Sequence, residues 1–150
     1  MRKNARLSGR LTSAVSGEVL TDAASRARYA TDASIYQMIP EAVVAPRSDH
    51  DIEAAMAVAR EEEVPVLPRG GGTSQCGQTV NRAVVLDNSR HLNRILDIDP
   101  DNLTARVEPG LVLDELNRAL KPHGLWFPVD PSTASRCTLG GMAANNSSGG

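Results

Sequence analysis

The run Pro68-Arg69-Gly70-Gly71-Gly72-Thr73-Ser74-Gln75-Cys76-Gly77-Gln78 carries the densest chemistry of this 150-residue chain. Three consecutive glycines let the backbone take φ > 0 and bring successive N–H groups to one point. A concave array of amides is a nest for phosphate oxygens. Thr73 and Ser74 add hydroxyl donors, and Arg69 offers charge. Two readings stand side by side, a diphosphate cradle and a flexible surface turn. Neither familiar phosphate loop fits. A P-loop needs lysine after its second glycine, and this run has none. The dinucleotide pattern, read from Gly70, needs glycine where Gln75 stands and a helix opening at once. The next apolar run, Ala83-Val84-Val85-Leu86, instead reads as a strand. The expected arrangement is a strand–loop–strand anion site.

A second stretch runs from Asp130-Pro131-Ser132-Thr133 to Thr138-Leu139-Gly140-Gly141-Met142-Ala143-Ala144-Asn145-Asn146-Ser147-Ser148-Gly149-Gly150. Its small residues allow close approach of a ligand or a second backbone. Asn145, Asn146, Ser147 and Ser148 supply donors and acceptors suited to a polar heterocycle or a ribityl chain. The competing reading is a disordered Gly/Ser-rich tail. Metal chemistry finds no support, because Cys76 and Cys137 form no C-x-x-C pair and His50, His91 and His123 are scattered. The two cysteines read as small residues in tight loops, or as neighbours of a ligand cleft. Asp87-Asn88-Ser89-Arg90-His91 reads as a structural turn without a visible acid–base partner. Glu61-Glu62-Glu63 reads as a solvent-facing helix end.

Elements that would position these loops follow from periodicity. Residues 42–45 read as a strand ended by Pro46. Ser48 with Asp51 forms a capping box. Ile52, Ala55, Met56 and Ala59 then mark one apolar helical face. Pro65 ends that helix near Glu63, and residues 64–67 return as a strand. Residues 42–67 are thus expected to form a β-α-β unit, with the glycine loop at the carboxyl end of its second strand, where α/β proteins favour ligands. Residues 95–98 and 104–107 read as strands joined by a Pro100-Asp101-Asn102 turn. Leu113, Leu116, Asn117 and Leu120 mark a second helix, stopped by Pro122 and Gly124, with His123 as a surface or capping residue. Leu7, Leu11 and Val15 suggest a short N-terminal helix, expected to fray.

Taken together, these motifs resemble the vanillyl-alcohol-oxidase/PCMH superfamily of flavoproteins, nearest the FAD-linked oxidases of D-2-hydroxy acids. The likeness rests on Tyr29-Ala30-Thr31-Asp32-Ala33-Ser34, Pro46, the PRGGGTS loop, Val107-Glu108-Pro109-Gly110, Gly124-Leu125-Trp126-Phe127-Pro128, DPST and TLGGMAANNSSG. It implies an α+β fold of the PCMH-type FAD-binding class, with a β-α-β subdomain followed by the start of a second α+β subdomain. Residues 1–21 would be an N-terminal extension and 22–150 the first part of that domain. The loop from Arg69 through Gly70, Gly71, Gly72 and Thr73 to Ser74 would bind the FAD diphosphate, with Gly77 and Gln78 closing the turn. Pro131 and Ser132 would lie beside the cofactor. Thr138, Gly140 and Gly141 would run along the flavin side, with Asn145, Asn146 and Ser147 nearby. Members with covalent FAD on this loop carry histidine where Thr73 stands, so the resemblance implies non-covalent FAD.

The resemblance also implies further segments, namely the rest of the FAD domain and a substrate domain, so a fragment is expected. The intact protein would oxidise a 2-hydroxy acid to a 2-oxo acid, and no catalytic base is assigned. The alternative is a non-catalytic nucleotide-binding or interaction module. Composition adds exclusions. A net charge of −2 and 3% aromatic residues argue against nucleic-acid binding. No run approaches the roughly 18 apolar residues of a membrane span, and a cytoplasmic location is expected.

Overall fold

The computed structural model describes residues 2–147. In chain order its elements are α1 (Arg2–Ala14), β1 (Glu18–Leu20), α2 (Ala23–Arg28), β2 (Ala42–Ala45), α3 (Asp49–Glu61), β3 (Val66–Arg69), β4 (Val84–Asp87), β5 (Ile95–Asp99), β6 (Thr104–Val107), α4 (Leu113–Leu120) and α5 (Leu139–Ala144). The result is the expected α+β class, with a four-stranded sheet and a separate β5–β6 hairpin.

The larger sheet has the order β1-β2-β4-β3, with β1 antiparallel to β2 and the other pairs parallel. The strands of the expected β-α-β unit, β2 and β3, are therefore not neighbours, because β4 lies between them. Composition explains the placement. β2 and β4 are buried at every residue, as suits strands covered on both faces. β3 contains Pro68 and is partly open, and proline belongs on an edge because it cannot donate to a ladder. The register pairs Arg69 with Asp87, so the chain leaves the sheet edge directly into the glycine loop.

α3 starts where its cap is written. Ser48 Oγ accepts the Asp51 amide at 3.3 Å. The Asp51 carboxylate does not complete the box on Ser48. It accepts the Arg47 amide at 2.8 Å and the Ser16 amide at 2.7 Å, tying the helix start to the chain before β1. Nor is α1 a frayed extension. Leu7 and Leu11 are buried with Ala55, Val58 and Ala59 of α3 against Ala42, Val44, Val84 and Leu86. Burial of each leucine contributes roughly 1.5–3 kcal/mol, which outweighs the polar composition of the rest of the helix. The Glu61–Glu63 run also departs from a solvent-facing end. Glu62 is buried, receiving Arg10 at 2.8 Å and Arg6 at 3.0 Å, while Glu61 pairs with Arg10. The α1 arginines thus offset acidic charge at the α3 carboxyl end.

The β5–β6 hairpin turns where Asp99 accepts the Asn102 amide at 3.0 Å. Ile95, Ile98 and Val107 pack on Leu111, Leu116 and Leu120. Gly124 (φ 68°) stops the helical run after the 3-10 turn Lys121–His123, and His123 is exposed as expected. The second small-residue stretch then folds back. Leu113, Cys137 and Met142 form one cluster, and the Leu139 and Gly140 amides donate to Leu111 and Pro109 at 2.9 and 2.8 Å. Thr138 pairs with Val112 through an isolated β-bridge. This docking turns the second motif toward the first.

Candidate functional site

A cleft of about 590 Å³ lies between the glycine loop and the 131–147 segment. Its first wall includes Gly70, Gly71, Gly72, Thr73, Ser74 and Gln78. Pro131 and Ser132 lie on the facing wall, followed by Thr138 and Gly141. Asn145, Asn146 and Ser147 complete that side. Ser148 falls outside the described residues. Two stretches about sixty residues apart in sequence therefore share one concavity, because β3 delivers the loop at a sheet edge and α4 carries the second stretch back to it.

The loop's backbone is free for a ligand. Among the described residues, none of the amides of residues 70–75 donates a hydrogen bond to protein, whereas the Cys76 amide reaches Ser74 Oγ at 3.3 Å. The start of α5 is the opposite case. Its Leu139 and Gly140 amides go to the 109–111 segment, Gly141 donates to Thr138 Oγ1 at 3.3 Å, and Met142 donates to the Thr138 carbonyl at 2.8 Å. The loop amides are open and the α5 amides already engaged, so an acceptor arriving at this cleft would be held by the loop and not by the short helix.

Two of the glycines are demanded by packing. A Cβ at Gly70 would overlap Thr138 Oγ1, and one at Gly71 would overlap the Arg136 carbonyl oxygen. The third, Gly72, has φ 66°, a conformation costly for residues with a Cβ.

Three expected site residues do not line the cleft. Arg69 makes no direct contact there. Its guanidinium donates to the carbonyls of Tyr29 at 3.3 Å, Thr79 at 3.0 Å and Thr31 at 2.7 Å, because it emerges from β3 beneath the loop, where these carbonyls converge. Gly77 (φ 78°) closes the turn against Tyr36, whose Cδ2 would stand 2.6 Å from an added Cβ. Gly140 packs on Pro109, whose Cβ would be 2.6 Å away.

The loop's base is fastened twice at Thr79. Besides Arg69, the Asp32 carboxylate accepts the Thr79 hydroxyl at 2.9 Å and, through its other oxygen, the Ser34 amide at 2.8 Å. Burial pushes this carboxyl up, but the Ser34 and Thr79 donors outweigh it and leave the group below its ordinary value. The lining residues among those described carry no formal charge. Both free cysteines, Cys76 and Cys137, reach the cleft. Burial pushes the Cys137 thiol up, so it stays protonated at neutral pH and is a poor nucleophile. Gln75, Thr79, Thr133, Met142 and Ala144 also line the cleft. Gln75, Thr133, Met142 and Ala144 sit inside the stretches singled out from sequence, and Thr79 lies one residue beyond the first of them. Among the described residues no cluster of His, Cys, Asp or Glu could hold a metal, and no helix is long and apolar enough to cross a membrane.

Comparison with known proteins agrees with this geometry. Residues 40–150 match the family model of an FAD binding domain. D-2-hydroxyglutarate dehydrogenase of Escherichia coli (strain K12) is 45% identical over 136 residues, 89% of this chain and 13% of that protein. Glycolate oxidase subunit GlcD of Bacillus subtilis (strain 168) is 42% identical over 129 residues, 84% of this chain and 27% of that protein. The chain thus spans well under a third of these relatives. Among solved structures, alkyldihydroxyacetonephosphate synthase superposes with a TM-score of 0.83 at 25% identity, over 97% of this chain and 32% of that one. The amide-lined loop, the facing small-residue wall and the family match over residues 40–150 agree: the chain belongs to the FAD-binding domain family.

Proposed function

We propose that this chain is the cofactor-holding portion of a flavin-dependent oxidoreductase that oxidises a 2-hydroxy acid to the 2-oxo acid. The observation that carries the reading is the run of unpartnered amides at residues 70–75 in one cleft with the 131–147 wall. Those amides, with the Thr73 and Ser74 hydroxyls, would hold the FAD diphosphate; Asn145, Asn146 and Ser147 would meet its polar edges. When bound, FAD supplies the two-electron acceptor for a hydride from the substrate α-carbon. The protein's own contribution is to bind and orient it with fixed neutral dipoles. With threonine at position 73, where members linked through this loop carry histidine, the cofactor is held non-covalently.

Relatives named for D-2-hydroxyglutarate and for glycolate support the substrate class and leave its member open. Oxidation also releases the hydroxyl proton. No carboxylate or imidazole lines the described cleft, so the base comes from elsewhere in the intact protein, as does the substrate pocket, which we assign to downstream domains. Two unpaired cysteines fit the cytoplasmic compartment we assign. The second reading, a non-catalytic interaction module, draws on the exposed apolar run Ile35, Tyr36, Met38 and Ile39 beside the loop.

Titration with FAD, followed by flavin fluorescence, tests the site. Ser74→Asp is the matched control, since its carboxylate can still accept the Cys76 amide while setting negative charge in the cradle. Saturable binding lost in that variant supports the reading. Binding neither by this chain nor by a version extended through the rest of the FAD domain would leave the interaction module. Gly71→Asp is unsuitable, because its Cβ would strike the Arg136 carbonyl and disturb the fold whether or not FAD binds.

A further inference from the structure

Arg69 has a role that its absence from the cleft surface conceals. Three carbonyls converge on its guanidinium, from Tyr29 and Thr31 in the chain after α2 and from Thr79 where the glycine loop ends. The same group lies 5.4 Å from the centroid of the Tyr29 ring, within range of a cation–π attraction. Gly72 rests directly on it, since a Cβ there would stand 2.6 Å from Nη2 and 3.2 Å from Cζ.

Asp87 and Asp32 offset part of the Arg69 charge through space, while their hydrogen bonds go to other groups. Asp87 accepts the Tyr29 hydroxyl at 2.7 Å and the Ser89 hydroxyl at 2.6 Å, and Asp32 holds Ser34 and Thr79. Among the described residues Arg69 makes no ion pair within 4 Å. Carbonyls satisfy its donors without cancelling its charge. A partly buried cation therefore sits beneath a stretch of amides that lack protein partners.

We propose that Arg69 is a positioning residue for the cofactor diphosphate: its planar fork fixes the loop that presents the amides, and the part of its charge that Asp87 and Asp32 leave uncompensated beneath Gly72 draws the anion to them. This rests on the cleft being an FAD site. Lysine keeps the charge but cannot bridge three fixed carbonyls with one planar group. Methionine keeps the length and removes both.

The test compares FAD dissociation constants of the wild-type chain, Arg69→Lys and Arg69→Met at low and moderate salt. Arg69→Met should bind about tenfold more weakly at low salt and lose the salt dependence that the exposed part of this charge supplies. Arg69→Lys should fall between them and keep the wild-type salt dependence. Wild-type affinity in Arg69→Met overturns the proposal. Equal losses and equal salt dependence in both variants overturn the electrostatic part, leaving a structural brace. Failure of the wild-type chain to bind FAD counts against the cofactor site itself. In that case amide exchange of the ligand-free proteins decides the bracing role. The Ala33 amide on the Gly72 carbonyl and the Thr79 amide on Asp32 should exchange about tenfold faster in Arg69→Met, and unchanged rates overturn it.

Discussion

Gly70→Ala isolates the contact that joins the two halves of the cleft. The new methyl would overlap Thr138 Oγ1 and stand 3.3 Å from Thr138 Cβ. Thr138 is 1% exposed and its hydroxyl caps α5, so a short, branched, buried side chain cannot swing aside. Overpacking of this kind costs about 1–3 kcal/mol, and disturbing the cap adds about 1 kcal/mol. Alanine's lower unfolded-state entropy returns about 0.4–1 kcal/mol, leaving a net loss of about 2–3 kcal/mol. Thr138→Ala alone loses the cap and a buried methyl, about 2 kcal/mol together. In the double variant the overlapping hydroxyl is gone and only the tight Cβ–Cβ approach remains. Its loss should be about 2 kcal/mol, well short of the roughly 4–5 kcal/mol sum. Urea denaturation followed by far-UV circular dichroism gives all three values. Losses that add within about 0.5 kcal/mol would mean that the loop and the α5 start do not touch as described.

Leu11→Ala should cost about 2–5 kcal/mol in the same assay, because α1 is part of the core; a loss under about 0.5 kcal/mol, typical of surface sites, would restore the picture of a loose extension. Asp51 is held below its ordinary carboxyl value, since burial pushes it up but the Arg47 and Ser16 donors outweigh that. A depressed folded value means its contribution is complete above about pH 3.9 and lost as pH falls through the lower folded value. Asp51→Asn should therefore flatten the acid limb of stability measured by denaturation across pH 2–6, and an unchanged limb would refute this. Burial, then the hydrogen bond to Asp87, pushes the Tyr29 phenol up to about 12. Ultraviolet titration should show a tyrosine ionising near that value, absent in Tyr29→Phe.

Local signals carried much of this molecule. The β2 run with its Pro46 stop, the Ser48 cap and the α4 spacing each depend on neighbours in sequence, and each lies where those neighbours place it. Long-range partners were the part that could not be read. Nothing near residue 51 indicates that Asp51 would take the Ser16 amide, and nothing near residue 62 indicates Arg6 and Arg10. β4 enters between β2 and β3 for the same reason, since strand order is decided by competition for burial. α5 was hidden by its two glycines, which disfavour helix; the Thr138 cap and the contact of Met142 with Leu113 outweigh that propensity. At the cleft, the loop and the small-residue stretch were legible as chemistry because their composition is unusual. Arg69 was misread as a ligand group because its type fits an anion, while its direction is set by three distant carbonyls.

Amide exchange across the cleft, with and without FAD, reads out whether the loop amides hold the cofactor. Residues 70–75, unpaired in the protein alone, should become protected when FAD is added, while the Leu139–Met142 amides, already bonded within the fold, should change little. Protection of the α5 amides with the loop unchanged, or no protection at either place, would contradict that role.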